Sequence, residues 1–235
     1  MAQPDQPLGT DLTFGIGVIG HRPDRLQAAD LPMLEKVVAG VIATVQDLAR
    51  KFAGRQIVIL SPLAEGADQI VAKAGLAANC RLFCPTPFPL AEYEKDFPVE
   101  TGARAGFHAL LAQARAANGL TLAELDGSRE APGAAYGTAG RVVMRGSDLL
   151  LAIWDGQKPK GEGGTVQTLQ EALAENIPVL WIDAESPHAL QILGNVREFP
   201  TFSDTRRAEV VQSPASSLTA LLESLMASAS TGNSP

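Results

Sequence analysis

Two apolar runs, separated by a glycine turn and an amphipathic helix, restrict this chain to an α/β architecture. The run 149–154 is short and continuously apolar, which is typical of a strand buried on both faces. After the turn Gly163-Gly164-Thr165, apolar residues of 166–173 recur at helical spacing, and 179–182 predicts a second strand. The pattern therefore predicts a βαβ crossover between parallel strands, with the glycine turn at the N-terminus of its helix.

The same alternation continues through the rest of the chain. Apolar runs at 14–19, 57–60 and 81–84 predict further strands, and the stripe over 34–52 predicts a long helix after Asp30 and Pro32. We therefore predict an α/β fold with a doubly wound, mostly parallel open sheet, in a Rossmann-like three-layer arrangement. The predicted domain is 13–227, with a variable segment at 85–133, a flexible N-terminus at 1–12 and a flexible tail at 228–235.

Composition narrows the function classes. No apolar run reaches the roughly 18–20 residues that span a bilayer, and the first residues lack the pattern of a signal peptide, so we expect a cytoplasmic protein without a membrane partner. The net charge of −7 argues against sequence-independent binding of nucleic acid, which we expect to be an unlikely partner.

Cys80 and Cys84 lack further ligands nearby, so we expect buried thiols and predict no metal-ligand set. The oligomeric state stays open, a homo-oligomer included.

Four segments are predicted to meet where ligands bind in open α/β sheets, beyond the carboxyl ends of the strands. All are rich in glycine, hydroxyl or charged residues. They are Gly20-His21-Arg22, Ser61 to Asp68, Pro85-Thr86-Pro87 and Asp155 to Thr165.

A helix N-terminus offers unpaired N–H groups and partial positive charge, which suit a phosphate group. We therefore expect Gly163, Gly164 and Thr165 to hold phosphate, and Arg22 to supply charge. His21 is a candidate for acid–base chemistry or for a ligand contact, with backbone capping as the alternative.

Small and acidic residues complete the predicted binding set. Gly20, Ser61 and Gly66 are expected to let a ligand approach closely. Carboxylates at Glu65, Asp68 and Asp155 are candidates for orienting a ribose, and Gly156 leaves room for a sugar beside Asp155. Glu65 and Asp68 are alternatively candidates for Mg²⁺ or simple favourable charges at a helix start.

A literal G-x-G-x-x-G occurs at Gly15, Gly17 and Gly20, but its position argues against a dinucleotide fingerprint. Such a fingerprint follows a strand and opens a helix directly, whereas these glycines lie within the predicted strand. Close packing between elements is the favoured explanation.

Together these segments resemble the SLOG superfamily of nucleotide-binding, Rossmann-like domains, which includes lonely-guy phosphoribohydrolases, the DNA-processing protein A family and YpsA-like proteins. The resemblance covers roughly 13–183 and is closest to the YpsA-like branch. It implies a nucleotide or nucleotide-derived ligand at the predicted edge of the sheet. The residues that carry it are Gly17 to Arg22, Ser61 to Asp68, Ser147 to Gly156, and Gly163-Gly164-Thr165.

The chain departs from the enzymes it resembles at one position. Lonely-guy enzymes and nucleoside deoxyribosyltransferases place a glutamate about one turn after the glycine-threonine turn, and here that position is Thr168. Glu171 lies six residues after Thr165 and too far along the helix to reach a sugar. We therefore expect a sensor or accessory protein that binds a nucleotide, with no cofactor assigned. The alternative is a hydrolase or transferase for an N-glycosidic or phosphoester bond, with Asp155, Asp68, Glu65 or His21 as catalytic candidates, and an interaction scaffold is a third interpretation.

Overall fold

The centre of the protein is a seven-stranded sheet in the order β4-β3-β2-β1-β5-β6-β7. The computed structural model describes residues 13–52, 54–157, 164–188, 190–194 and 215–231. The first six strands run parallel, and β7 pairs antiparallel with β6. The predicted doubly wound, mostly parallel sheet is confirmed. The strands are β1 Thr13–Gly20, β2 Gln56–Leu60, β3 Arg81–Thr86, β4 Leu120–Glu124, β5 Leu149–Trp154, β6 Val179–Asp183 and β7 Leu190–Leu193.

Helices cover both faces of this sheet and form two apolar cores. Most of them contribute to the larger core, and the fifth and sixth helices pack together over β1 and β5. The helices are α1 Leu31–Lys51, α2 Ala67–Ala77, α3 Leu90–Tyr93, α4 Ala103–Ala116, α5 Pro132–Arg145, α6 Thr165–Ala174 and α7 Ala215–Thr231. The larger core takes residues from α1, α2, α3, α4 and α7, together with Ala135 of α5.

Strand β5 shows why its sequence lacks an alternating pattern. Leu149, Leu151 and Ile153 belong to the larger core, while Leu150 and Trp154 belong to the core under α5 and α6. All are fully buried. Because successive side chains of a strand point to opposite faces, a strand between two helical layers must be apolar at every position.

Two glycines of β1 serve packing, as the sequence indicated. A Cβ atom on Gly17 would collide with the Ser147 side chain, and one on Gly15 would lie 2.5 Å from the carbonyl oxygen of Gly146. The corner between α5 and β5 therefore lies directly against β1. The interpretation of these glycines as packing residues is confirmed.

Three elements differ from the sequence-based expectation. The small residues of 127–135 predict a loop, but helix α5 begins within this segment at Pro132, because proline suits a first helical turn. The short edge strand β7 carries mostly half-buried residues and no clear alternation, so its pattern was too weak to predict. Helix α7 continues to Thr231, whereas the sequence places a tail from residue 228.

The two cysteines are buried and form no disulfide. Burial raises the pKa of both thiols, so neither is a thiolate at neutral pH. Within the described ranges, no group of His, Cys, Asp and Glu is arranged to hold a metal ion. None of the described helices combines the length and the apolar character that crossing a membrane requires.

Candidate functional site

A cleft of 540 Å³ opens beyond the carboxyl ends of β1, β2 and β3. The chain proceeds outward from β1 through β2, β3 and β4, and then returns to β5 on the opposite side of β1. The loops that follow β1 and β5 therefore diverge, which is where open α/β sheets form ligand crevices. The walls come from the loop after β1, the start of α2, one face of α5 and the start of α6.

An ion pair at the floor of this region joins the ends of β1 and β5. Arg25 donates from Nε to Oδ2 of Asp155 at 3.1 Å and from Nη2 to Oδ1 at 2.9 Å. The backbone N–H of Gln157 donates to the same carboxylate at 2.9 Å. Burial alone would raise the pKa of Asp155, but His21, Gln157 and Arg25 outweigh it and hold that pKa below its ordinary value. Asp155 is therefore an ionised carboxylate already engaged by the protein.

His21 lies beside this ion pair, and both His21 and Arg25 line the cleft. The Nε2 of His21 is 2.8 Å from Oδ1 of Asp155, although the N–H is not aligned as in a linear hydrogen bond. The side chain is 5% exposed and lines the cleft. Burial lowers the pKa of His21 more than the neighbouring Asp155 raises it, so the imidazole is neutral at pH 7.

Asp68 is the buried carboxyl group of the cleft. It lies in the first turn of α2 and accepts a hydrogen bond of 3.2 Å from the N–H of Ala64. Burial raises its pKa to about 7, against the opposing effects of Ala64, the Ser61 hydroxyl and the charge of Arg22. Near neutral pH this group therefore exists both with and without its proton, the property required of an acid–base group.

Arg22 and two tyrosines form a second part of the cleft lining. The Arg22 guanidinium lies 5.6 Å from the ring centre of Tyr136, and no carboxylate of the described residues forms a salt bridge with it. Tyr136 is held in place because its hydroxyl donates to Asp96 at 2.6 Å. Tyr93 lines the cleft and is otherwise buried. This wall therefore places a cation beside a fixed aromatic ring.

The start of α6 forms a further part of the lining. Gly164 occupies the N-cap position, and a Cβ atom there would meet no atom of the described residues within 4 Å. The Thr165 hydroxyl donates to the carbonyl of Gly20 at 3.0 Å, so it fastens α6 to the end of β1. Gly163, predicted to share in phosphate binding, lies outside the described residues.

Glycines 20 and 66 allow protein elements to approach one another. A Cβ on Gly20 would collide with Ala67, and one on Gly66, whose φ is +101°, would collide with the carbonyl oxygen of His21. The Ala67 N–H donates to that same carbonyl at 3.0 Å. The loop after β1 and the start of α2 are thus held together, and a role of these glycines in admitting a ligand stays a prediction.

The loop between Ser61 and Gly66 is held in a conformation that a leucine rarely adopts. Leu63 is fully buried and has a φ of 60°. Its N–H donates to the Ser61 hydroxyl at 3.0 Å, and its carbonyl accepts from the Gln69 side chain at 3.1 Å. These contacts fix the backbone that presents Asp68, and strained backbone of this kind is concentrated at functional sites.

The structure brings together about half of the residues predicted for the site. Glu65 is half-buried, outside the lining of the cleft, and forms no hydrogen bond with another described residue. Asp155 and Ser61 lie behind the lining, and Gly156 packs near Trp181. The predicted residues in the lining are Gly20, His21, Arg22, Asp68, Gly164 and Thr165, with Pro87 of the third segment.

Sequence reasoning missed two contributions to the site. Sequence reasoning assigned no role to Arg25, and nothing in the sequence indicates its partner 130 positions away. Tyr136, Gly140 and Val143 all line the cleft from α5. Their spacing of four and three residues is a helical stripe, and that signal was available once the helix had been placed at 132–145.

A smaller groove of 300 Å³ lies on the sheet beside the start of β1. Its polar groups already have protein partners, since Asp148 accepts from the N–H of Gly15 at 2.7 Å and Arg81 donates to Gln56 at 3.2 Å. The larger cleft is therefore the better candidate site.

No protein-family model and no curated protein matches the chain. Solved structures do match. DNA processing protein A from Streptococcus pneumoniae aligns with a TM-score of 0.43 and 14% identity over 72% of this chain and 50% of that protein. The Helicobacter pylori protein of that name aligns with a TM-score of 0.41 and 20% identity, over 73% of this chain and 66% of its own. The protein TM1055 aligns with a TM-score of 0.42 and 16% identity, over 74% of this chain and 76% of its own.

DNA-processing protein A is also one of the branches that the sequence resembles. The chain spans half the length of the S. pneumoniae protein. A match at this level concerns the arrangement of strands and helices. The match does not assign the ligands or activities of those proteins to this chain.

One expectation from composition is corrected by these comparisons. We expected nucleic acid to be an unlikely partner because the chain is acidic, yet the H. pylori structure is described by its single-stranded DNA binding mode. Net charge is a property of the whole chain, whereas binding depends on local charge. Here Arg22 presents a cation at the cleft despite the overall charge of −7.

Proposed function

We propose that the cleft binds a nucleotide unit, either free or within a single strand, and that the protein acts as a sensor or accessory protein. The observation that carries this proposal is that two kinds of anion-binding group line one cleft of 540 Å³. The first is the N-terminus of a helix, and the second is Arg22 beside the Tyr136 ring. The volume lies in the range of about 300–1,000 Å³ that small-molecule sites occupy.

The charged groups favour an anionic ligand. Arg22 has no carboxylate partner among the described residues, and its guanidinium can donate two parallel hydrogen bonds to a phosphate. The first N–H groups of a helix lack intrahelical acceptors, and the helix dipole adds partial positive charge. None of the described residues comes within 4 Å of a Cβ atom placed on Gly164, so they leave these N–H groups open to an anion.

The remaining walls favour a ligand with a flat, uncharged part. The Tyr136 ring is fixed by its hydrogen bond to Asp96 and meets Phe88 edge-on at 5.5 Å. A base that stacks on an aromatic ring gains about 1–3 kcal/mol. Asp68 lines the same cleft and is available to accept from or donate to a sugar hydroxyl.

Thermal unfolding against a ligand panel tests the proposal. The panel contains nucleoside mono-, di- and triphosphates, ADP-ribose, NAD and a short single-stranded DNA. A ligand at 100 times its dissociation constant should stabilise the fold by about 2.7 kcal/mol, which is a measurable increase in melting temperature. A shift with mononucleotides identifies a free ligand, and a shift with DNA alone identifies a strand. No shift with any member would contradict the proposal.

A further inference from the structure

We infer that Arg129 is a positioning residue of the cleft, which acts through Asp96 to hold the Tyr136 ring in place for the base of the bound nucleotide. This inference rests on the proposed function. Arg129 lies outside the lining of the cleft, whereas Tyr136 belongs to it. The two are connected by a cluster that we call the Arg129 clasp, formed by Phe88, Glu92, Asp96, Arg129 and Tyr136.

The Arg129 guanidinium is held at all three of its nitrogens. Nε donates to Oε1 of Glu92 at 2.9 Å, and Nη2 donates to the carbonyl oxygen of Glu92 at 2.6 Å. Nη1 donates to Oδ1 of Asp96 at 2.6 Å. Because the guanidinium is a rigid planar fork, these bonds fix its orientation. Arg129 therefore fastens the loop before α5 to α3 and to the 3-10 turn Glu94–Asp96 that follows it.

The same carboxylate that pairs with Arg129 also holds Tyr136. The tyrosine hydroxyl donates to Oδ2 of Asp96 at 2.6 Å, and Nη1 of Arg129 lies 3.4 Å from the hydroxyl oxygen. Burial and the hydrogen bond to Asp96 raise the pKa of Tyr136, so the hydroxyl keeps the proton that it donates. Arg129 thus determines where the acceptor of the Tyr136 hydroxyl lies.

Phe88 provides a second contact between the same two residues. The Arg129 guanidinium carbon lies 4.0 Å from the centre of the Phe88 ring, a distance typical of cation–π stacking. The Phe88 and Tyr136 rings meet edge to face, with their centres 5.5 Å apart. Asp96 and Phe88, both in contact with Arg129, therefore restrain the hydroxyl and the ring of Tyr136.

The exposure of the clasp favours a role in binding over a role in folding. Arg129 is 34% exposed, and ion pairs near the surface contribute little to stability. A ring that is already held in place loses less conformational freedom when a base stacks on it, and this saving strengthens binding. Without Arg129, Asp96 loses the cation that pairs with it, and the Tyr136 hydroxyl loses a fixed acceptor.

A double-mutant cycle measured by calorimetry tests the inference. The probes are AMP, GMP, CMP, UMP and a short single-stranded DNA. We expect Arg129→Ala and Tyr136→Phe each to raise Kd about 3- to 10-fold, because the ring must then be ordered on binding. The double variant should bind no more weakly than the weaker single variant, since both substitutions remove the same link.

Lys95→Ala is the matched control, because the exposed Lys95 pairs with Glu92, as Arg129 does, and stands outside the link to Tyr136. Its Kd should equal that of wild type. Tyr136→Phe keeps the aromatic ring and the ion pairs of Arg129, so it tests the link even if Arg129→Ala fails to fold.

A purely structural role would make the effect of Arg129→Ala on Kd the same with and without the Tyr136 hydroxyl. That result would overturn the inference and leave the proposed function standing. A Kd for Arg129→Ala or for Tyr136→Phe equal to that of wild type would also overturn it. Absence of binding of every probe to wild type would instead remove the proposed function.

Discussion

Arg25 and Asp155 form a two-pronged ion pair across the point where the strand order reverses. Arg25 lies in the short 3-10 turn Pro23–Arg25 after β1, and Asp155 directly follows β5. Nη2 of Arg25 is 2.6 Å from Oδ2 of Asp155, and the two side chains are 14% and 9% exposed. The pair closes the base of the cleft and places the neighbouring His21 and Arg22.

Removal of the Asp155 charge is expected to destabilise the fold. Asp155→Asn leaves the largely buried Arg25 without its carboxylate, and breaking such a pair from one side costs about 3–5 kcal/mol. Urea unfolding measures the loss. Glu35→Gln is the control, because its 3.4 Å pair with Lys73 is exposed and should contribute less than about 1 kcal/mol. An equal loss of unfolding free energy in the two variants would show that the Arg25–Asp155 pair contributes no more than an exposed pair.

Asp68 is expected to make stability fall as pH rises. Its pKa is about 7 in the folded protein and 3.8 ordinarily, so between these values the folded state holds a proton that the unfolded chain has released. Unfolding then releases a proton and becomes easier with rising pH, by up to about 1.4 kcal/mol per pH unit, with no further change above pH 7. The free energy of unfolding of wild type relative to Asp68→Asn should therefore decline by about 2–3 kcal/mol from pH 5 to pH 8. A constant difference would show that the carboxyl has an ordinary pKa.

Glycine 17 is expected to tolerate no side chain. Gly17→Ala places a Cβ against Ser147 and 2.9 Å from a methyl carbon of Leu150, and overpacking of this kind costs about 1–3 kcal/mol. Gly40 lies exposed in α1, and a Cβ atom there would meet nothing within 4 Å, so Gly40→Ala should stabilise by about 0.5–1 kcal/mol. Chemical denaturation measures the change in the free energy of unfolding for each variant. A decrease for Gly17→Ala together with an increase for Gly40→Ala would support a packing role for the β1 glycines, and changes of the same sign would refute it.

Two substitutions of Gly164, at the start of α6, distinguish the effect of added negative charge from the effect of added side-chain volume. Gly164→Glu and Gly164→Gln both add a side chain into open space, so both should keep a melting temperature close to wild type. The glutamate also places a negative charge where the ligand phosphate is expected. The same charge interacts favourably with the helix dipole, so it should not destabilise the fold. We therefore expect nucleotide affinity, measured by calorimetry, to fall at least about tenfold for Gly164→Glu and less for Gly164→Gln. Unchanged affinity in both variants would place the anion elsewhere.

The sequence was sufficient to predict the five central strands and the edge of the sheet where the cleft lies. The run at 149–154 indicated a doubly buried strand because helical layers on both sides demand apolar residues at every position, and β5 has them. Gly20, Arg22 and Asp68 were placed at this edge because each follows a strand or begins a helix. Such local signals are sufficient when the fold itself fixes where strand ends meet.

The roles of individual side chains were harder to predict, because partners distant in sequence compete for the same atoms. Thr165 was expected to hold phosphate, yet its hydroxyl donates to Gly20, 145 positions away. Asp155 was one candidate for orienting a ribose, and the structure shows that it accepts from Arg25 and lies 2.8 Å from His21. No periodicity or spacing records a contact of this range.

The sequence by itself determined the α/β class, the parallel strands and the residues that reach the carboxyl edge, because apolar periodicity and helix-start chemistry are local properties of a chain. Only the tertiary structure decided which of those residues face the cleft and which are used by the protein. It buried Asp68 and so raised its pKa, engaged Asp155 in an ion pair, and left Arg22 without a carboxylate partner among the described residues. Burial and pairing arise from segments that meet in space, and these properties control the charge available for chemistry.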